Sequence, residues 1–79
     1  MAQSIKSDKT IGGNIRRARN KCNFTQEQLV AKLQVIGCDI SRGTLAKIEA
    51  GIRHISVEEL KAVKEVLQMN YEDFFAGHE

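Results

Sequence analysis

The chain has 79 residues, which allows one small domain with a modest core. Hydrophobic residues make up 42%, proline is absent and glycine occurs 6 times, so a disordered or low-complexity chain is excluded. No apolar run approaches the roughly 18 residues of a membrane span, and the N-terminus lacks the apolar stretch of a signal peptide. We therefore expect a cytoplasmic protein with no membrane segment.

The charge is unevenly placed, although the net charge is only +2. Residues 1–54 contain ten lysines and arginines against four acidic residues, whereas residues 55–79 contain two lysines against six acidic residues. A basic front and an acidic back suit the binding of a polyanion at the front. A solvated charged surface explains the same distribution about as well.

The first predicted helix has an apolar face whose residues recur at spacings of four, three and four. These residues are Ile11, Ile15, Ala18 and Cys22. Ser7, Asp8 or Thr10 is its N-cap, and the pattern does not choose among them. Gly12 and Gly13 weaken its first turn, and Asn23 is expected to end it.

A capping box at residues 25–28, Thr-Gln-Glu-Gln, predicts the start of a second helix, which Gly37 is expected to stop. Its apolar positions are Leu29, Val30, Leu33 and Ile36. A second capping box at residues 56–59 opens a fourth helix. The apolar positions of that helix are Leu60, Val63, Val66 and Leu67. A last short helix, capped by Asn70, carries Phe74 and Phe75. No segment shows the sustained alternation of a strand.

The third helix, residues 41–50, begins at the N-cap Ser41 and stops at Gly51. Leu45 and Ile48 lie on one side of it at 100° per residue. The opposite side carries mostly small residues and a few hydrogen-bond donors: Arg42, Gly43, Thr44, Ala46, Lys47 and Ala50. Such a face suits a helix pressed into the major groove of DNA, which is about 12 Å wide. An ordinary surface helix with a chance glycine and two alanines is the equally weighted alternative.

The cysteines and histidines do not form a metal site or a catalytic set. Cys22 and Cys38 are expected to be reduced, partly buried thiols. Neither a glycine-rich phosphate loop nor a metal-ligand cluster occurs. We therefore predict no enzyme activity, no metal and no cofactor, and no small-molecule effector is evident.

Glu49 borders the apolar face of the third helix and needs a partner, for which Arg19 is the available cation. At this point the sequence resembles the lambda-repressor/Cro-like, or Xre-type, helix-turn-helix family. The segments that carry the resemblance are IRRARNKCNFTQEQLVAKL, ISRGTLAKIEAGIR and SVEELKAVKEVLQMNYEDFF, which together cover about residues 11–75. The resemblance implies an all-α, five-helix domain over residues 1–79, with its core at about 8–76 and a helix-turn-helix formed by helices 2 and 3.

The resemblance also implies roles for single residues. The positions that face bases are Arg42, Gly43, Thr44 and Lys47. The positions that lie along the phosphate backbone are Gln26, Arg53 and His54. Arg19 and Glu49 match an internal ion pair that joins helix 1 to helix 3. Leu29, Leu45, Ile48, Leu60 and Leu67 match the family's core.

The chain departs from the family in a few places. Seven residues, QVIGCDI, separate Leu33 from Ser41, where the family usually has far fewer. This insertion either alters the helix-turn-helix angle or lengthens helix 2 before Gly37 reverses the chain. Val30 and Lys64 replace a usual alanine and a usual apolar residue, and Gly43 stands where a base-reading side chain is common.

The function that the resemblance implies is a sequence-specific regulator of transcription, most simply a repressor, whose partner is double-stranded DNA. Such proteins mostly bind as two-fold dimers, with half-sites about 34 Å apart. Tyr71, Phe74 and Phe75 cannot all point inward in so short a helix. We expect Phe74 to close the core and the other aromatics to support a homodimer through residues 69–77. The alternative function is a protein-interaction module of the same fold, such as an antitoxin-like or anti-repressor component.

Overall fold

A computed structural model of the chain describes residues 3–77, and within the first helix it describes side chains from residue 8 onward. These residues form five helices and no strand, as the sequence predicts. The helices are α1 (Gln3–Lys21), α2 (Gln26–Val35), α3 (Arg42–Ala50), α4 (Val57–Leu67) and α5 (Tyr71–Phe75). Within the described range, none of them is both long and apolar enough to cross a membrane.

The helix α1 begins earlier than the sequence pattern predicts. Asp8 and Thr10 lie inside it, and so does the backbone of Ser7, whose side chain is outside the described part. The prediction of an N-cap at any of these three positions is therefore wrong. The residues before Gly12 include no glycine or proline, so nothing in the sequence stops the helix from extending toward its N-terminus. Asn23 ends the helix as predicted, in a left-handed conformation with φ 61°.

Gly12 lies where α1 crosses α3. A Cβ atom at this position would overlap the backbone carbonyl oxygens of Ile48 and Glu49. Only glycine lets the two helix backbones approach so closely. The prediction that Gly12 weakens the first turn is wrong, because the residue is in the middle of α1 and serves a tertiary contact.

The helix α2 begins at the predicted capping box. Thr25 Oγ1 accepts a hydrogen bond from the Gln28 amide at 3.1 Å, and Gln28 Oε1 accepts one from the Thr25 amide at 2.8 Å. The helix continues two residues past Leu33, to Val35. Gly37, with φ 94°, then reverses the chain in a Schellman motif, in which the Cys38 amide donates to the Leu33 carbonyl at 2.9 Å. The long connection therefore lengthens helix 2, although by less than one turn.

The end of α2 corrects one predicted core position. Ile36 is exposed, because it is the C-cap, where the helix ends, although its spacing from Leu29 and Leu33 would continue their stripe in a longer helix. After the reversal at Gly37, Cys38 and Ile40 pack against the core in its place. Cys22 and Cys38 are free and half-buried, as predicted, and burial is the main cause that raises the pKa of the Cys38 thiol.

The core is continuous across all five helices. Its buried hydrophobic residues are Ile15, Leu29, Leu33, Leu45, Ile48, Ala62, Val63, Leu67, Met69 and Phe74. Leu60, expected on the core face of α4, is half-buried and packs against the core, as does Val66, expected beside that face. Phe74 is fully buried while Tyr71 and Phe75 remain exposed, which confirms that only one of the three aromatics closes the core.

A buried asparagine joins α1 to the end of α5. Asn14 Nδ2 donates to the carbonyl oxygens of Phe74 at 2.7 Å and Ala76 at 2.9 Å. Its Oδ1 accepts from Arg17 at 2.8 Å, so the buried amide is satisfied on both sides. The carbonyls at the end of a short helix are otherwise unpaired, and Asn14 supplies their donors.

A buried ion pair joins α1 to α3. Arg19 Nε lies 2.7 Å from Glu49 Oε2, and Arg19 Nη2 lies 3.0 Å from Glu49 Oε1. Only 10% of the Arg19 side chain and 4% of the Glu49 side chain are exposed. Arg19 Nη1 also donates to the Phe24 carbonyl at 2.8 Å, which fixes the chain between α1 and α2. The structure thus brings together the two residues that the sequence pairs.

An arginine–glutamate pair closes the loop between α3 and α4. The guanidinium of Arg53 donates to both carboxylate oxygens of Glu59, at 3.0 and 3.1 Å. Glu59 Oε1 also accepts from the Ser56 amide at 2.9 Å, as part of the capping box of α4. The hydrogen bond from Arg53 is the largest cause that lowers the pKa of Glu59, and the hydrogen bond from Ser56 acts in the same direction.

The first prediction concerns the buried pair. Glu49→Gln keeps the shape of the side chain but leaves the Arg19 charge buried without a counter-charge, and breaking a buried pair costs about 3–5 kcal/mol. We expect the free energy of unfolding to fall by about this amount in urea titrations. Glu65→Gln, on the exposed side of α4, is the control and should stay within about 0.5 kcal/mol of the parent. An unchanged midpoint for Glu49→Gln would contradict the buried pair.

The second prediction concerns the acid stability of the α3–α4 loop. Because the pKa of Glu59 is lower in the folded chain, its charge stabilises the fold above the ordinary pKa of about 4.3. This stabilisation is lost as the pH falls through the folded pKa. Urea titrations of the parent and of Glu59→Gln should therefore differ most near pH 7 and converge as the pH falls through the folded pKa of Glu59. A stability difference that is independent of pH would contradict this role of the Glu59 charge.

Candidate nucleic-acid interface

The outer face of α3 is almost bare of large side chains. Arg42, Gly43, Lys47 and Ala50 are exposed, and Thr44 and Ala46 are half-buried. On the inner side, Leu45 and Ile48 enter the core and Glu49 enters the ion pair. The helix thus presents small residues between one guanidinium, one ammonium and one hydroxyl group, as its sequence predicts.

Gly43 has no packing reason to be a glycine. A Cβ atom there would meet only Ser41 Oγ, at 3.8 Å, which is ordinary van der Waals contact. Gly43 also lies in regular helix, where glycine is unfavourable relative to alanine. Because Gly43 has no side chain, a ligand can approach the backbone of the first turn of α3 closely.

Thr44 is held by the cap of α3. Ser41 Oγ accepts a hydrogen bond from the Thr44 amide at 3.0 Å and donates one to Thr44 Oγ1 at 3.0 Å. The Thr44 hydroxyl therefore accepts within the protein, and its own proton remains available to an outside acceptor. This fixes the rotamer of the side chain at the edge of the bare face.

Gln26 stands at the first turn of α2, beside the ion pair. Its Nε2 donates to Glu49 Oε1 at 3.1 Å. An amide nitrogen carries two protons, so one N–H remains free to bind an anion at the positive end of α2. The ion pair thus holds Gln26 in place without using its full donor capacity.

An open groove runs between α1, the first turn of α2 and α3. Its lining is mostly polar and comprises Arg16, Arg19, Thr25, Gln26, Glu27, Arg42, Ala46, Glu49 and Ala50. The sequence analysis missed Arg16, although it stands three residues before Arg19 and therefore lies near it on the same side of α1. Arg16 is exposed at the rim and adds a cation to this surface.

Arg42 and Glu27 face each other across this groove. Arg42 Nε lies 3.5 Å from Glu27 Oε2, and 62% and 71% of the two side chains are exposed. Glu27 is in the first turn of α2, where the helix dipole favours a negative charge. The sequence analysis placed Glu27 in the capping box and gave it no part in the interface.

Arg53 and His54 follow α3, where the sequence places them, and both have acidic neighbours. Arg53 is held by Glu59, as described above, while His54 Nδ1 lies 2.6 Å from Asp8 Oδ2 of α1. The His54 side chain is largely exposed. The sequence pattern did not indicate these partners, because Asp8 and His54 are far apart in the chain.

The described residues offer no metal chemistry. No three of their histidine, cysteine, aspartate and glutamate side chains are grouped so that they could hold a metal ion. The surface around α3 instead combines exposed cations with two acidic side chains, of which Glu27 contacts Arg42 and Asp8 contacts His54.

Comparison with protein families gives a match to the helix-turn-helix family over residues 15–74. Comparisons with curated proteins and with solved structures find no match. The matched range runs from the second half of α1 to Phe74 in α5 and includes the helix-turn-helix of α2 and α3. The chain therefore belongs to the helix-turn-helix family of Xre/lambda-repressor-like DNA-binding domains.

Proposed function

We propose that the chain is a sequence-specific regulator of transcription, acting as a repressor, that inserts α3 into the major groove of double-stranded DNA. The observation that carries the proposal is the bare outer face of α3, which has no exposed side chain larger than alanine between Arg42 and Lys47. The α helix just fits the groove, and small residues permit close approach to base edges. The protein acts in the cytoplasm, as one domain over residues 1–79.

Affinity comes first from the phosphate backbone. Lysine and arginine side chains release counterions from DNA, which favours binding without regard to sequence. Gln26, with one N–H free at the positive end of α2, binds a phosphate oxygen. Arg53 and His54 lie along the phosphate backbone of the DNA. Within the protein, the Arg53 guanidinium also donates to Glu59, and His54 Nδ1 lies beside Asp8.

Specificity comes from a few side chains on α3. Arg42 donates two hydrogen bonds to O6 and N7 of a guanine, and Lys47 reaches a second guanine. Thr44 contacts a thymine methyl group, while Gly43 lets the helix approach without a contact of its own. A partner protein would instead be recognised by exposed apolar side chains, which this face of α3 lacks.

Repression follows from occupancy. A bound domain blocks other proteins from the DNA it covers, and this needs no additional activity. Selection of bound duplexes from a random pool is the test of the whole proposal. Recovery of a consensus supports a sequence-specific regulator, and a pool that stays random contradicts it.

We also propose that the protein binds as a two-fold homodimer through residues 69–77, which leaves α3 free. Phe75 is 56% exposed in α5, and Tyr71 beside it is half-exposed, with Lys64 Nζ 4.9 Å from the centre of its ring. Exposed aromatics on a short helix are typical of an interface. Two α3 helices about 34 Å apart would then read two half-sites one helical turn apart.

The third prediction concerns base readout. Arg42→Ala and Lys47→Ala should each cost about 1–3 kcal/mol on the selected site and less on a scrambled duplex, because each removes a base contact. Gln26→Ala should weaken binding to both duplexes alike, since every sequence has phosphates. Equilibrium titrations at one fixed salt concentration measure these losses.

Lys61→Ala is the matched control, since Lys61 is an exposed lysine on α4, outside the groove. It should lower affinity for both duplexes slightly and equally. If Arg42→Ala loses the same affinity on both duplexes, Arg42 does not read a base.

The fourth prediction concerns assembly. Phe75→Glu places a charge in the proposed interface and should leave a folded monomer that binds a half-site normally and a full palindrome weakly. Sedimentation equilibrium with and without DNA checks this. Val35→Glu, at an exposed apolar position outside α5, should not change the association. The homodimer is contradicted if the parent stays monomeric and binds a half-site as tightly as a full palindrome.

A further inference from the structure

The contact between α2 and α3 at the mouth of the groove involves one particular atom of Arg42. The carboxylate of Glu27 lies beside Arg42 Nε, which is 3.5 Å from Oε2. A guanidinium carries five N–H groups in a rigid plane, and the terminal pair form a fork that matches two acceptors. A carboxylate at the Nε edge restricts the guanidinium and leaves N–H groups of the fork for an outside acceptor.

We propose that Glu27 is a positioning residue that aims Arg42 at a guanine and thereby sets the sequence preference of the protein. This proposal rests on the proposed function, in which Arg42 reads a base. A free arginine has many rotamers and binds a phosphate as readily as a base edge. With the Glu27 carboxylate beside Nε, the orientations of the fork are restricted before DNA arrives, and less rotamer freedom is lost on forming the two hydrogen bonds to O6 and N7.

The negative charge of Glu27 also increases the preference for a matched site over other DNA. A carboxylate beside the groove repels phosphates of every sequence, so it lowers non-specific binding. A matched guanine offsets this repulsion by the two hydrogen bonds that Arg42 makes with its fork. The first turn of α2 supports the carboxylate, because backbone amides there favour a negative charge.

The test compares two duplexes. One contains the selected site, and in the other the guanine that Arg42 is proposed to bind is replaced by adenine. Glu27→Gln should reduce the ratio of the two affinities by about two- to fivefold, the range that one exposed ion pair supports. The same variant should bind a scrambled duplex more tightly than the parent. A loss of folding would lower the affinity for every duplex, so tighter binding of the scrambled duplex distinguishes the proposed effect from misfolding.

Glu58→Gln is a closely matched control. Glu58 occupies the second position of α4 after a capping-box serine, as Glu27 occupies the second position of α2 after a capping-box threonine, and both are exposed. The substitution thus removes the same charge from the same helix position away from the groove. It should leave the guanine-to-adenine ratio unchanged.

Introducing Glu27→Gln into the Arg42→Ala variant tests whether Glu27 acts through Arg42. If Glu27 acts through Arg42, Glu27→Gln has no effect on the ratio when Arg42 is already alanine. An equal effect in both backgrounds means that Glu27 contacts a base itself, and an unchanged ratio in the parent background means that it does not position Arg42. Either result overturns the inference and leaves base reading by Arg42 intact. Equal losses for Arg42→Ala on matched and replaced duplexes overturn base reading itself and the inference with it.

Discussion

The buried ion pair between Arg19 and Glu49 is the interaction on which the DNA-facing surface depends. It fixes α3 against α1 with two hydrogen bonds, and Glu49 also accepts from Gln26 in the first turn of α2. Three helices are therefore joined at one carboxylate. A buried charge is costly without its partner, so the arrangement of α1, α2 and α3 around Glu49 resists distortion when a ligand binds to α3. Gly12 allows the same helices to meet at the backbone level.

The sequence was sufficient for the helices, because caps and periodic apolar faces are local signals. The Arg19–Glu49 pair, whose partners are 30 residues apart, was predicted because the resemblance matches both positions to an internal ion pair. Thr25, Ser41 and Ser56 are N-caps of standard type, and Gly37 and Gly51 adopt left-handed conformations where helices end. The periodic pattern failed at Ile36, since the chain reverses there and buries other residues. It also failed at the start of α1, where the sequence contains several equally good caps and none of them is used.

Apart from the Arg19–Glu49 pair, contacts between distant residues could not be read from the sequence. Asn14 bonds the end of α5, and the partners of Arg53 and His54 come from α4 and α1. Nothing in local propensity distinguishes these polar residues from solvated ones, because their role is set by where the helices cross. The same limit applies to the candidate interface. The resemblance names the residues proposed to face DNA, but only the three-dimensional arrangement shows which acidic groups stand beside them.

These acidic neighbours change how the surface can bind DNA. Arg42 and Arg53 each have a carboxylate within salt-bridge distance, so their charges are partly neutralised before any phosphate approaches, and His54 lies beside the carboxylate of Asp8. Binding to arbitrary DNA gains less from counterion release when cations are already paired. In the proposed complex, a guanine offers acceptors to the terminal nitrogens of Arg42 and does not require the carboxylate to leave. On that proposal, pairing the cations lowers affinity for DNA in general more than for a matched site, and this difference is what a specific regulator needs in a genome with an excess of other sequences.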